Sequence, residues 1–228
     1  MASSPTTEKV IPYALLGMTA VTGLVDAVSF LSLGRVFTAN MTGNVVILAF
    51  ATARVPGLSI ARSLTALLAF LVGAILGGRI MARAGVDSQI RFAAQAFVLE
   101  VVFLSVASFC SIGYRSDLLE HSFQPFALIA LTALAMGTRN AAVRKLAIPD
   151  LTTTVLTLTI TGIGADSSLA NGNNPRLARR VASLAAMFLG AALGAVIIRY
   201  SISAALWLGT AISALCSAAL FRSLRTSG

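Results

Sequence analysis

Six apolar runs organise this chain: Ile11 to Phe30, Ser63 to Gly78, Phe92 to Tyr114, Ser122 to Thr138, Val181 to Ile198 and Tyr200 to Phe221. Each approaches or reaches the roughly 20 residues a helix needs to cross about 30 Å of hydrocarbon. A backbone at that depth must satisfy its own polar groups, so helix is the predicted state of every run. Two short polar segments interrupt the pattern, Thr38-Ala39-Asn40-Met41-Thr42-Gly43-Asn44 and Thr152 to Thr159. Each follows a run with Gly-x-x-Asp/Asn-Ala (Gly23 to Ala27; Gly137 to Ala141) and precedes one with Gly-x-x-x-Gly (Gly73 and Gly77; Gly190 and Gly194). Laid over one another, the halves place Asp26 over Asn140, Thr42 over Thr157 and Asn44 over Thr159. The pattern predicts an all-α polytopic membrane protein of six transmembrane helices plus two short polar helices, built as an internal repeat. Residues 10–115 form the first repeat and 116–222 the second, between polar tails at 1–9 and 223–228.

Two topologies compete for the short segments, Thr38 to Ala53 and Leu151 to Ala165. With eight full crossings and the N-terminus inside, basic residues divide almost evenly between the two faces. With both segments re-entrant, twelve lie inside and five outside. The positive-inside rule favours the second arrangement, and eight crossings stays the alternative. Re-entrant backbone is tolerated only inside protein or beside a water-filled cavity, so this choice implies a cavity.

Composition agrees with lipid as the solvent: 57% of residues are hydrophobic and 11% charged, against about 25% charged in a soluble domain. The net charge of +9 lies in short connectors, where it orients helices and meets anionic headgroups, so no nucleic-acid partner is expected. Cys110 and Cys216 lie within apolar runs with no second ligand nearby, which gives no metal site and no disulfide framework. His121, the one histidine, sits in a charged connector. Without a nucleophile, phosphate-loop or metal motif the chain reads as no enzyme, with no cofactor. The first run is too long for a cleaved signal, and the Arg- and Ala-rich composition suggests a bacterial inner membrane, N-terminus cytoplasmic.

Asp26 is the sharpest chemical candidate, on one helix face with Gly23, Ala27 and Phe30. A carboxylate at a helix centre costs about 2.5–3.5 kcal/mol on insertion scales, so it must face the interior, pair or hold a proton. Either it couples protons to solute binding or it forms a fixed ion pair, with Arg139 the candidate partner. Glu100 is the secondary proton site, or the partner of a buried arginine. Asn40, Thr42, Gly43 and Asn44, with Asn140, Thr157 and Thr159, offer amides and hydroxyls for a neutral or zwitterionic solute; such groups also glue helices together. Asp166 is placed near a cavity mouth.

The stretches Gly23-Leu24-Val25-Asp26-Ala27-Val28-Ser29-Phe30 and Val36 to Asn44, with Met136 to Ala141 and Asp150 to Thr159, resemble the YoaK family of bacterial multi-pass membrane proteins, domain of unknown function 1275. The resemblance covers nearly the whole chain, with Phe-x-x-Asn-Met-Thr-Gly-Asn its most specific part. It implies six transmembrane segments and transfers no substrate or reaction. The expected function is a transporter or channel for a small solute, proton-coupled through Asp26. The alternative is a scaffold or sensor binding lipid or a partner protein through Arg176, Arg179 and Arg180. Expected partners are the bilayer, an unknown small solute and a second copy of the chain in a homo-oligomer.

Overall fold

The computed structural model describes residues 5–85, 88–114 and 123–225, with side chains from residue 10 onward. Within these residues the chain forms eight α-helices and no strand: α1 Pro5–Ser32, α2 Met41–Thr52, α3 Ile60–Ala82, α4 Gln89–Cys110, α5 Gln124–Leu146, α6 Thr157–Ala165, α7 Leu177–Ile197 and α8 Ile202–Arg225. All but α2 and α6 are long and apolar enough to cross a membrane. At 12 and 9 residues, α2 and α6 reach only about 18 and about 14 Å. The first and last helices of the chain overrun the apolar runs. α1 starts at Pro5, a residue suited to the first helical position. α8 continues through Arg222 and Arg225, whose charge complements a helix C-terminus.

Contacts between helix ends fix the path of the chain. Where α1 ends, the Arg62 side chain from the start of α3 lies against Gly34, and Tyr114 Oη, just past α4, donates to Ser32 O at 2.8 Å. Gln124, opening α5, donates to Cys110 O at the close of α4, 2.7 Å away. The segment holding α2 therefore leaves and rejoins the bundle at one end. At the other end, Asp150 follows α5 and pairs with Arg176 and Arg180, where α7 begins. The segment holding α6 leaves and rejoins there. Neither short helix carries the chain from one end of the bundle to the other, and the two segments start from opposite ends.

α1 and α5 are the innermost spans, 67% and 61% buried, against 28% for α3 and 22% for α7. α1 packs on α7 and α8, α5 packs on α3 and α4, and α4 packs on α8. Two crossings are close enough to require glycine. A methyl group at Gly23 would run into the Met187 carbonyl, and one at Gly190 into that of Ala20. Gly137 and Gly73 stand in the same relation to Phe70 and Leu134. In a membrane, where lipid is as apolar as leucine, such backbone approach supplies the packing that holds helices together. The outer faces of α3 and α7 expose Leu68, Leu71, Val72, Ile75, Leu189, Leu193 and Val196, as lipid-facing surfaces should.

Candidate functional site at the tips of the short helices

The first site element is the break between α1 and α2. Gly34 (φ 97°) and Arg35 (φ 58°) turn the chain back on itself in the left-handed region that glycine tolerates best. Residues 36–39 then run non-helically beside α1, and their backbone polar groups need partners. Side chains supply them. The Phe37 N–H donates to Asn44 Oδ1 at 2.8 Å, and Asn44 Nδ2 donates back to Phe37 O. The Thr38 and Ala39 N–H groups both donate to Asp26 Oδ1, each at 2.9 Å. Asn40 caps α2 by accepting from the Gly43 N–H at 3.3 Å. The Phe37 ring stacks on Phe30, centroids 4.8 Å apart. Asp26 is thus a fixed acceptor as well as a carboxylate.

The second break, between α5 and α6, uses different chemistry. Thr154 Oγ1 donates to Asn140 Oδ1 at 2.9 Å, and Thr152 Oγ1 to Val155 O at 2.7 Å. At its outer end Arg180 gathers the loop, donating from Nε to Asp150 Oδ1 at 3.0 Å, from Nη2 to Asp166 Oδ2 at 2.7 Å and from Nη1 to Gly162 O. Arg176 Nε donates to Asp150 Oδ2 at 2.6 Å. Loss of solvent raises the Asp150 pKa, but hydrogen bonds and charge from Arg176 and Arg180 outweigh it and hold the carboxyl below its ordinary range. Of the three arginines read as an external basic face, Arg176 and Arg180 are therefore occupied by internal acids, and Arg179 is not. Asp166 joins this clamp and does not line the cleft.

Between the tips of α2 and α6 opens a cleft of about 860 Å³. The α1 face of Gly23, Asp26, Ala27 and Phe30 forms one wall, and Asn40, Thr42 and Gly43 come from the start of α2. Thr154, Val155 and Leu156 come from the segment leading into α6, Thr157 and Ile160 from α6 itself, and Met187, Phe188, Ala191, Ala192 and Ala195 from α7. Asp26, Asn40, Thr42, Gly43 and Thr157 thus meet in one place. Asn44 and Thr159 are buried behind the tips, Asn44 because its amide is committed to Phe37. Asn140 opens on a different groove, between α3 and α5. The α7 wall has no signature in the sequence, since apolar residues on an apolar helix carry no distinguishing signal. Phe37 stands out in the sequence only as part of the Phe-x-x-Asn-Met-Thr-Gly-Asn motif.

Glu100 lies elsewhere, fully buried in the bundle centre. Its Oε1 accepts from Arg139 Nη1 at 2.9 Å and from Ser213 Oγ at 3.0 Å. Arg139 also donates to Met18 O at 3.0 Å and to Thr22 Oγ1. The cluster ties α1, α4, α5 and α8 together. Arg139 therefore pairs with Glu100, not with Asp26, because it projects into the interior toward α4. Cys110 is exposed and Cys216 half-buried; His121 lies outside the described residues.

Six apolar spans, two short helices and a cleft at their tips define a multi-pass α-helical membrane protein. Comparison with known proteins gives its family. Residues 14–219 match the family described as "Protein of unknown function (DUF1275)", and the chain belongs to it. It is also similar to the UPF0700 transmembrane protein YoaK of Bacillus subtilis (strain 168), 37% identical over 155 residues. That alignment covers 68% of this chain and 65% of the relative, so slightly less than two thirds of the relative's length is matched. No solved structure matches the chain.

Proposed function

We infer that the protein is a transporter or channel for a small solute, with the cleft between the tips of α2 and α6 as its path. One observation carries this reading: two half-helices entering from opposite ends bring their N-termini to one cleft that also holds the Asp26 carboxylate. Half-helix termini, with their partial positive charge, are the groups from which membrane transporters build midplane solute sites. Helix pairing and glycine contacts that recur between the halves support an inverted internal repeat, in which each half contributes one re-entrant tip. Asp26 carries the coupling proton in this reading: its Oδ1 is held by the Thr38 and Ala39 N–H groups while the residue still lines the cleft, where solute and proton arrive. Basic residues concentrated where α3, α5 and α8 end, Arg79, Arg144, Lys145, Arg222 and Arg225, support a cytoplasmic location for that end and the N-terminus, in a bacterial inner membrane.

The test is thermal unfolding of the purified protein against a panel of small metabolites at two pH values, for wild type and Asp26→Asn. A ligand at about a hundred times its dissociation constant stabilises by roughly 2.7 kcal/mol, which is readily measured. The reading expects a pH-dependent shift in wild type that a folded Asp26→Asn protein lacks. A ligand shift identical in both proteins at both pH values removes Asp26 from the mechanism. The lack of any ligand shift in wild type counts against transport through this cleft.

A further inference from the structure

A second groove, of about 560 Å³, runs between α3 and α5. Phe70, Ala74 and Gly78 line it on α3, and Asn140, Arg144 and Lys145 on α5. From Gly78 to Phe70 it extends about 12 Å along the helix. Arg144 and Lys145 occupy the last turn of α5, at the end of the bundle where α3 also finishes, while Phe70 lies toward the middle. The groove is therefore cationic at its outer end and apolar at depth.

The polar groups at the outer end are hydrogen-bond donors. Arg144 and Lys145 are exposed and pair with no carboxylate among the described residues. Asn140 commits its carbonyl oxygen to Thr154 Oγ1 at 2.9 Å, which leaves its amide N–H groups to offer. At the matching positions along α1 the other cleft carries Asp26, Phe30 and Leu31. At these positions the cationic character belongs to the groove between α3 and α5 alone.

We propose that the groove between α3 and α5 binds one anionic phospholipid, its phosphate held by Arg144, Lys145 and the Asn140 amide and the start of an acyl chain lying over Gly78, Ala74 and Phe70. Basic pockets between spans attract anionic headgroups in this way. A free anion would use the cations and have no use for the apolar floor. The proposal is independent of solute transport, and each can fail without the other.

The experiment combines native mass spectrometry and thermal unfolding of the full chain in neutral detergent, with added phosphatidylglycerol, phosphatidylcholine or inorganic phosphate. Two variants probe the two ends of the groove. Arg144→Gln/Lys145→Gln removes the cations. Gly78→Leu fills the floor, and because a side chain there begins in open space, with nothing within 4 Å of its Cβ, the variant is expected to fold. Expected are one retained phosphatidylglycerol per chain, a stabilisation that neither phosphatidylcholine nor phosphate reproduces, and binding weaker by on the order of tenfold or more in the double variant. Gly78→Leu weakens the lipid while leaving the lipid-free protein as stable as wild type. Equal stabilisation by phosphatidylcholine overturns the proposal, and so does a full shift from phosphate alone, which would mark an anion site. Unchanged affinity in Gly78→Leu also overturns it, and that variant decides if the double variant does not fold.

Discussion

At the scale of single residues, the account turns on Asp26 having two functions at once. Its Oδ1 closes the break between α1 and α2 by accepting from Thr38 and Ala39, and the residue also lines the cleft. These functions separate by substitution. Asn keeps an oxygen in place for both N–H groups, so Asp26→Asn is expected to unfold within about 1 kcal/mol of wild type. Asp26→Ala leaves both donors unsatisfied at membrane depth, at about 1–3 kcal/mol each, and is expected to lose about 2 kcal/mol or more. Thermal unfolding in detergent checks both, and equal loss in the two variants would show that the charge itself holds the fold. The face shared by Gly23, Asp26, Ala27 and Phe30 was legible in the sequence because helical periodicity alone places those residues together. The role of Asn44 was not, since its partner is the backbone of Phe37 across a chain reversal. The pairing of Arg139 with Glu100 was open for a related reason: the two lie on different spans, and only packing decides which buried acid a buried arginine meets.

At the scale of elements, the six spans could be read from run length, because membrane thickness acts on sequence directly, and the two short helices from the polar segments between the spans. Helix ends were less legible. α6 keeps only the nine residues Thr157–Ala165 as helix, its entry segment being held by Thr152, Thr154 and Asn140, and its exit by the Arg180 clamp. That clamp makes a prediction about pH. The Asp150 carboxyl titrates below its unfolded range, so its contribution to stability is fully present above the ordinary carboxylate pKa of about 3.9. It is lost as pH falls through the depressed folded value. The melting temperature of Asp150→Asn should therefore lie below that of wild type by a constant margin from pH 5 to 8. The margin should close only in strong acid. A gap that widens toward acid pH would contradict the clamp.

At the scale of the whole molecule, α2 and α6 meet at one cleft only because they enter from opposite ends, and the solute path inferred above depends on that meeting. The sequence suggested this geometry through paired polar segments, yet the cleft itself needed the α7 wall, which no polar residue advertises. Accessibility from the two sides of the membrane tests the geometry most directly. Val55 and Ala170 are exposed, just beyond α2 and beyond α6. Each is replaced by cysteine, Val55→Cys and Ala170→Cys, in a protein carrying Cys110→Ala and Cys216→Ala. Intact cells and inverted vesicles are then treated with a membrane-impermeant thiol reagent. The account predicts that the two positions label from opposite faces, Ala170→Cys from the cytoplasmic side. Labelling of both from the same face would mean that the short helices cross the membrane, and would contradict the site as described.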